Sequence, residues 1–122
     1  VGDMKFFLAF FILIASTAYA QDARSVSKLA WDQDAVTLAE AQGFTYKYYA
    51  DVATIGVTLV GVTCTGTVSP FQCQVAFPAF TPGTHTLALT SGNFAGESPK
   101  STPTLNFTFV VIPTSPKNLT IK

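Results

Sequence analysis

One histidine, two cysteines, an Asp-x-Asp pair and two Asn-x-Thr triplets are the residues of this chain whose types and spacing could do chemistry. His85 is the single histidine, so a histidine-cluster metal site is excluded and one candidate base remains. Flanked by Thr84 and Thr86 at a turn-to-strand junction, it reads as a surface histidine rather than a catalyst. Asp32 and Asp34, in WDQDA, have a spacing that contributes to calcium binding in extracellular modules, but no acidic residue nearer than Glu40 follows to complete a shell. No glycine-rich phosphate loop, zinc-ligand spacing or nucleophile elbow is present. The expectation is a protein without catalytic residues, metal or cofactor. Asn106-Phe107-Thr108 and Asn118-Leu119-Thr120 are glycan-acceptor triplets, to be used if the source organism glycosylates.

Cys64 and Cys73 carry the remaining chemistry. An even cysteine count in an exported chain favours a disulfide over metal ligation. The intervening TGTVSPFQ, rich in turn formers, suits a bridge across the neck of a hairpin. The export signal is read at the other end. Met4 and Lys5 lead into FFLAFFILIASTAYA, whose charged start, apolar middle and small-residue exit at Ala18 and Ala20 match a secretory signal peptide. Residues 6–20 are too few to span a bilayer, which takes roughly 20 apolar positions. Val1, Gly2 and Asp3 precede the initiator-like Met4 and are read as a vector or frame remnant. Residues 1–20 are thus assigned as remnant plus signal, and the mature chain is expected to start at Gln21 and to be secreted or held at the cell surface.

What remains, about 100 residues, suffices for a single domain with one core. The full sequence balances seven Lys and Arg against seven Asp and Glu, and removing Asp3 and Lys5 keeps the balance. No charge surplus exists to hold a nucleic-acid backbone or, once the signal is removed, an anionic membrane. The same sparse charge lets a surface of Thr, Ser and Gln associate without strong self-repulsion.

The elements that must position these residues follow from period-two alternation broken by Gly, Pro and Asp, the pattern of an antiparallel all-β domain. Helical periodicity is weak, and residues 36–43, VTLAEAQG, are the one stretch suited to a helical turn. In residues 25–32, Leu29 and Trp31 face inward. In residues 44–51, Phe44, Tyr46 and Tyr48 alternate with Thr45, Lys47 and Tyr49, so an aromatic face covers the Trp31 ring. The competing use of these rings is a carbohydrate-binding platform. Residues 54–64 read as one long β-branched strand pairing with residues 71–77, where Val75 and Phe77 share a face with Cys73. A Pro-Gly turn then opens residues 80–90, with Leu87 and Leu89 inward, and residues 102–112 form a last strand with Leu105, Phe107, Phe109 and Val111 on one side and Asn106 opposite.

Leu29-Ala30-Trp31, the tyrosines of residues 46–49, TPGT at 81–84 and AGESPKS at 95–101, in that order with strands between, resemble a fibronectin type III domain over nearly the whole mature chain. The resemblance implies a non-catalytic immunoglobulin-like antiparallel sandwich over residues 21–112, used as a spacer, an adhesion module or a scaffold for binding loops. Two departures stand out. Thr84, His85 and Thr86 occupy the stretch where the family places a corner tyrosine, and the family's proline-rich opening strand is missing ahead of Trp31. That motif stands instead in residues 113–122, a tail with Pro113, Pro116, Leu119 and Ile121 and a strand-like end.

A sandwich lacking an edge strand exposes core side chains and unpaired backbone, which invites strand addition. The expected function is therefore a secreted structural subunit that forms a homo-polymer, with Pro116, Leu119 and Ile121 carried on a donated strand. A head-to-tail contact of this kind need not close, so it yields a filament. The alternative is a monomeric adhesion module whose partners are other extracellular proteins or glycans.

Overall fold

The computed structural model describes residues 21–122; the signal assignment at residues 4–20 lies outside them. The strands are β1 (Gln21–Ala23), β2 (Lys28–Gln33), β3 (Thr45–Ala50), β4 (Val57–Thr58), β5 (Thr63–Thr65), β6 (Phe71–Ala76), β7 (Gly83–Asn93), β8 (Gly96–Glu97) and β9 (Leu105–Phe109), with one helix, α1 (Leu38–Gly43), between β2 and β3. The fold is all-β. One sheet runs β1-β9-β7-β3-β4, with β8 turned back on β7, and the other runs β2-β6-β5. Every pairing is antiparallel except that of β1 with β9.

Alternation builds the core between the sheets. On β6, Phe71, Cys73 and Val75 are buried while Gln72, Gln74 and Ala76 are exposed; Leu29 on β2 lies beside Val75 in the same sheet, and Leu87 on β7 and Phe107 and Phe109 on β9 belong to the other sheet's side of the core. Phe107 lies edge-on to Phe77 at 5.0 Å and to Phe80 at 4.9 Å, geometry that favours aromatic pairs beyond the area they bury. Tyr46 is buried, whereas Trp31, Tyr48 and Leu89 are half-buried at the rim of the core rather than inside it. A second cluster gathers Ala41, Phe71 and the disulfide between Cys64 and Cys73, which joins residues directly opposite on β5 and β6. Phe71 and Ala41 belong to this core although neither was expected there.

Helix α1 forms where residues 36–43 suggested a turn. Thr37 caps it by accepting from the Glu40 N–H at 3.1 Å, and the Glu40 carboxylate returns to the Val36 N–H at 2.8 Å. The two contacts satisfy donors that a helix start leaves open.

Two expected strands are shortened. Residues 54–64 do not run as one: β4 pairs with β3 and β5 pairs with β6, so the chain crosses between sheets at residues 59–62. Gly61, at φ +83°, supplies a left-handed conformation that a β-branched residue would adopt only under strain. The last strand ends at Phe109, and Val111 is exposed rather than on the core face.

Candidate interaction site

The sequence predicts no strand ahead of the Trp31 strand. Gln21–Ala23 does form a strand, but it lies parallel on β9, with Ala23 accepting from the Val110 N–H at 2.8 Å. A tight turn, in which Ser27 and Arg24 exchange hydrogen bonds of 2.9 Å, then delivers the chain into β2 on the opposite sheet. Among the described residues β2 pairs with β6 alone, so its other edge is open along Lys28–Gln33.

The phase of that edge is fixed by one contact. Ser27 C=O accepts from the Phe77 N–H at 3.0 Å, and in an antiparallel ladder alternate residues turn both backbone groups to the same side. Ser27, Leu29, Trp31 and Gln33 therefore face β6 with their backbone, while Lys28, Ala30 and Asp32 turn theirs outward. The side chains follow the complementary rule. Leu29 and Trp31 point between the sheets, and Lys28, Ala30 and Asp32 are exposed on the outer face.

Behind this edge lie two cavities. One, of about 500 Å³, has Leu29, Phe77, Leu105 and Phe107 on its apolar side and Gln21, Asp22, Ser27 and Lys28 on its polar side. The other, of about 240 Å³, is lined by Trp31, Tyr46 and Leu89 with Ser91, Ser98 and Ser101 at its rim. The indole N–H of Trp31 is buried and has no hydrogen-bond partner among the described residues.

Residues 110–122 are in no strand. Leu119 and Ile121 touch almost nothing, at 94% and 101% exposure, and Val111 and Ile112 are exposed as well. Asn118 adopts φ +55°, a left-handed conformation that asparagine tolerates. An unpaired backbone edge over cavities of mixed polar and apolar lining, and a segment with two unburied aliphatic side chains at alternate positions, are complementary in chemistry: once that segment straightens at Asn118, backbone pairing supplies affinity and the alternating side chains supply fit.

The other candidates resolve differently. His85 is not a free base. Its Nδ1 contacts Asp51 Oδ2 at 2.9 Å and its Nε2 contacts the Thr81 carbonyl at 2.8 Å. Asp51 first, then Thr81, raise the His85 pKa, and the same contact with His85 lowers that of Asp51. In its protonated form the imidazolium donates from both ring nitrogens and ties together the loops that hold Asp51 and Thr81. Asp32 and Asp34 diverge, Asp34 reaching Ser69 while Asp32 faces solvent, and no cluster of three metal-ligating side chains occurs among the described residues. Asn106 is exposed on β9 and Asn118 is exposed in the tail.

The tyrosine strand divides its work. Tyr46 turns inward, meets Trp31 edge-on at 5.1 Å and donates its hydroxyl to the Ala41 carbonyl at 2.6 Å; burial pushes its pKa up to about 12. Tyr49, on the outer face, donates to Glu97, which also accepts from Thr90 and stands 3.9 Å from Lys47, while Lys100 covers the Tyr49 ring at 4.4 Å. Thr90 first, then Tyr49, hold the Glu97 carboxyl below its ordinary value, and Glu97 raises that of Tyr49. This network joins β3, β7 and β8 across long sequence separations, and no local motif announces it. No row of exposed stacked rings forms from Trp31, Tyr46 and Tyr48.

Comparison with protein-family models, curated proteins and solved structures finds no match for this chain. The reading of function therefore rests on geometry.

Proposed function

We propose that the protein is a secreted or cell-surface structural subunit, fibronectin type III-like in its sandwich, that self-associates when the segment around Leu119 and Ile121 of one copy adds to the β2 edge of the next. The observation that carries this reading is the unpaired β2 edge over two cavities in a chain whose tail leaves both aliphatic side chains unburied. Burying Leu119 and Ile121 would contribute roughly 3 to 6 kcal/mol. The chain's own β1 supplies only three residues and is engaged on β9, so it does not cover the six of β2. Pro113 and Pro116 hold the intervening segment extended and remove two donors that could continue β9, which favours reaching a neighbour. The disulfide fits an oxidising compartment, and no described helix is long and apolar enough to cross a membrane.

The test is assembly of the mature protein, followed by size-exclusion chromatography and negative-stain electron microscopy. Filaments that disappear when residues 114–122 are deleted support strand addition. A full-length protein that stays monomeric at high concentration, with a truncated form of equal stability, refutes it and returns the reading to a monomeric adhesion module.

A further inference from the structure

The open edge also specifies how an incoming strand must lie. Leu119 and Ile121 share one parity, with Asn118, Thr120 and Lys122 on the other. On β2 the inward pair is Leu29 and Trp31, and the outward set is Lys28, Ala30 and Asp32. Period-two alternation permits only registers that match inward to inward. Two of these set both aliphatic residues beside Leu29 and Trp31. In the parallel one Leu119 lies beside Leu29 and Ile121 beside Trp31, so Asn118, Thr120 and Lys122 face Lys28, Ala30 and Asp32 in turn. In the antiparallel one the order reverses and Lys122 falls beside Lys28. Pro116 lies outside the paired stretch in both, so neither loses a ladder bond to proline.

Charge separates the two. The β6 neighbours of Lys28 and Asp32 are Ala76 and Gln72, both neutral, and neither charge has an ion-pair partner among the described residues. Both charges are therefore uncompensated and face the incoming strand. The parallel register sets Lys122 against Asp32; the antiparallel register sets Lys122 against Lys28. Cross-strand opposite charges stabilise and like charges destabilise by comparable amounts.

Resting on the strand-addition reading, we infer that the segment from a second copy runs parallel to β2, and that Asp32 selects this orientation by facing Lys122. In that register the Ala30 N–H donates to the Leu119 carbonyl and the Ile121 N–H donates to the Ala30 carbonyl, the slanted pattern of a parallel pair. Leu119 then enters the larger cavity, beside Leu29, and Ile121 the smaller, beside Trp31.

Charge reversal in the full mature chain tests this, with assembly rate read by light scattering and products by electron microscopy. Asp32→Lys is expected to slow assembly about tenfold, Lys122→Asp to do the same, and the double variant to recover most of the rate. Lys28→Asp, which faces neutral Asn118, is expected to stay within about twofold of wild type. Faster assembly of Lys28→Asp with no effect of Asp32→Lys overturns the parallel orientation in favour of the antiparallel one. Indifference to all four variants, while deletion of residues 114–122 still abolishes filaments, overturns the register and leaves strand addition standing. A wild-type protein that never assembles overturns both.

Discussion

Replacing Tyr46 by phenylalanine isolates one hydrogen bond in the core. Tyr46 Oη donates to the Ala41 carbonyl at 2.6 Å, and that carbonyl belongs to the last turn of α1, whose final C=O groups have no partner within the helix. Ala41 is fully buried and Tyr46 only 3% exposed, so water has no ready access to the carbonyl once the hydroxyl is gone. Leaving a buried acceptor unmet costs about 1 to 3 kcal/mol. The phenylalanine ring keeps the edge contact with Trp31 at 5.1 Å and that with Phe44 at 6.3 Å, so packing is retained. The expected loss is thus about 2 kcal/mol, a fall in Tm of roughly 10 °C for a domain near 100 residues. Tyr46→Ala also removes the ring, and should cost roughly 3 to 5 kcal/mol. Urea unfolding followed through Trp31, the single tryptophan, reads both variants. The slope with denaturant should stay constant while the midpoint falls. An unchanged midpoint for Tyr46→Phe refutes the claim that this hydroxyl anchors the helix to the sheet.

The ion pair of His85 with Asp51 should make stability depend on pH. The raised His85 pKa means its contribution is complete below the ordinary value of 6.5 and is lost as pH rises through the folded value, whereas the lowered Asp51 contribution is lost only on acidification below the ordinary 3.8. Tm should therefore decline from mildly acidic to alkaline pH, and His85→Gln should flatten that decline; a variant with the wild-type profile contradicts the tie. Replacing both Cys64 and Cys73 by alanine should cost about 2.5 kcal/mol by loosening the unfolded loop, read as a lower urea midpoint, and no change would mean the bridge constrains nothing. Glu97→Gln should let the Tyr49 phenol titrate nearer its ordinary 10.0, followed by NMR of labelled tyrosine, because the carboxylate is the leading cause of its elevation. An unmoved titration would place the cause elsewhere.

Local pattern carried much of this architecture and failed where pairing is non-local. Strict alternation in residues 71–77 fixes which side of β6 is buried, and residues 28–32 do the same for β2. The run at residues 54–64 is rich in β-branched residues, and such a run states that a strand forms without stating which sheet it joins; only the left-handed Gly61 marks the crossing. Gln21–Ala23 carries no pattern at all, since three residues whose partners lie more than eighty positions away are placed by β9 rather than by themselves. That β2 keeps one edge unpaired among the described residues was legible, because the family's first-strand motif is missing ahead of Trp31. The orientation of the edge was not, because backbone phase depends on a single contact between Ser27 and Phe77. Glu97 and Tyr49, forty-eight positions apart, meet only because β3 and β8 flank β7.

The parallel pairing of β1 on β9 has a mechanical consequence. Because the two strands point the same way, residue 21 and residue 110 leave the pair at opposite ends. Tension applied between them is directed along the strands, and the registered pairs from Gln21↔Phe107 to Ala23↔Phe109 are loaded together instead of one at a time. An antiparallel partner in the same place would bring the loaded ends to one side and open like a zipper. A patch of three residues thereby acts in shear, and the sandwich resists being pulled lengthwise more firmly than the size of that patch suggests.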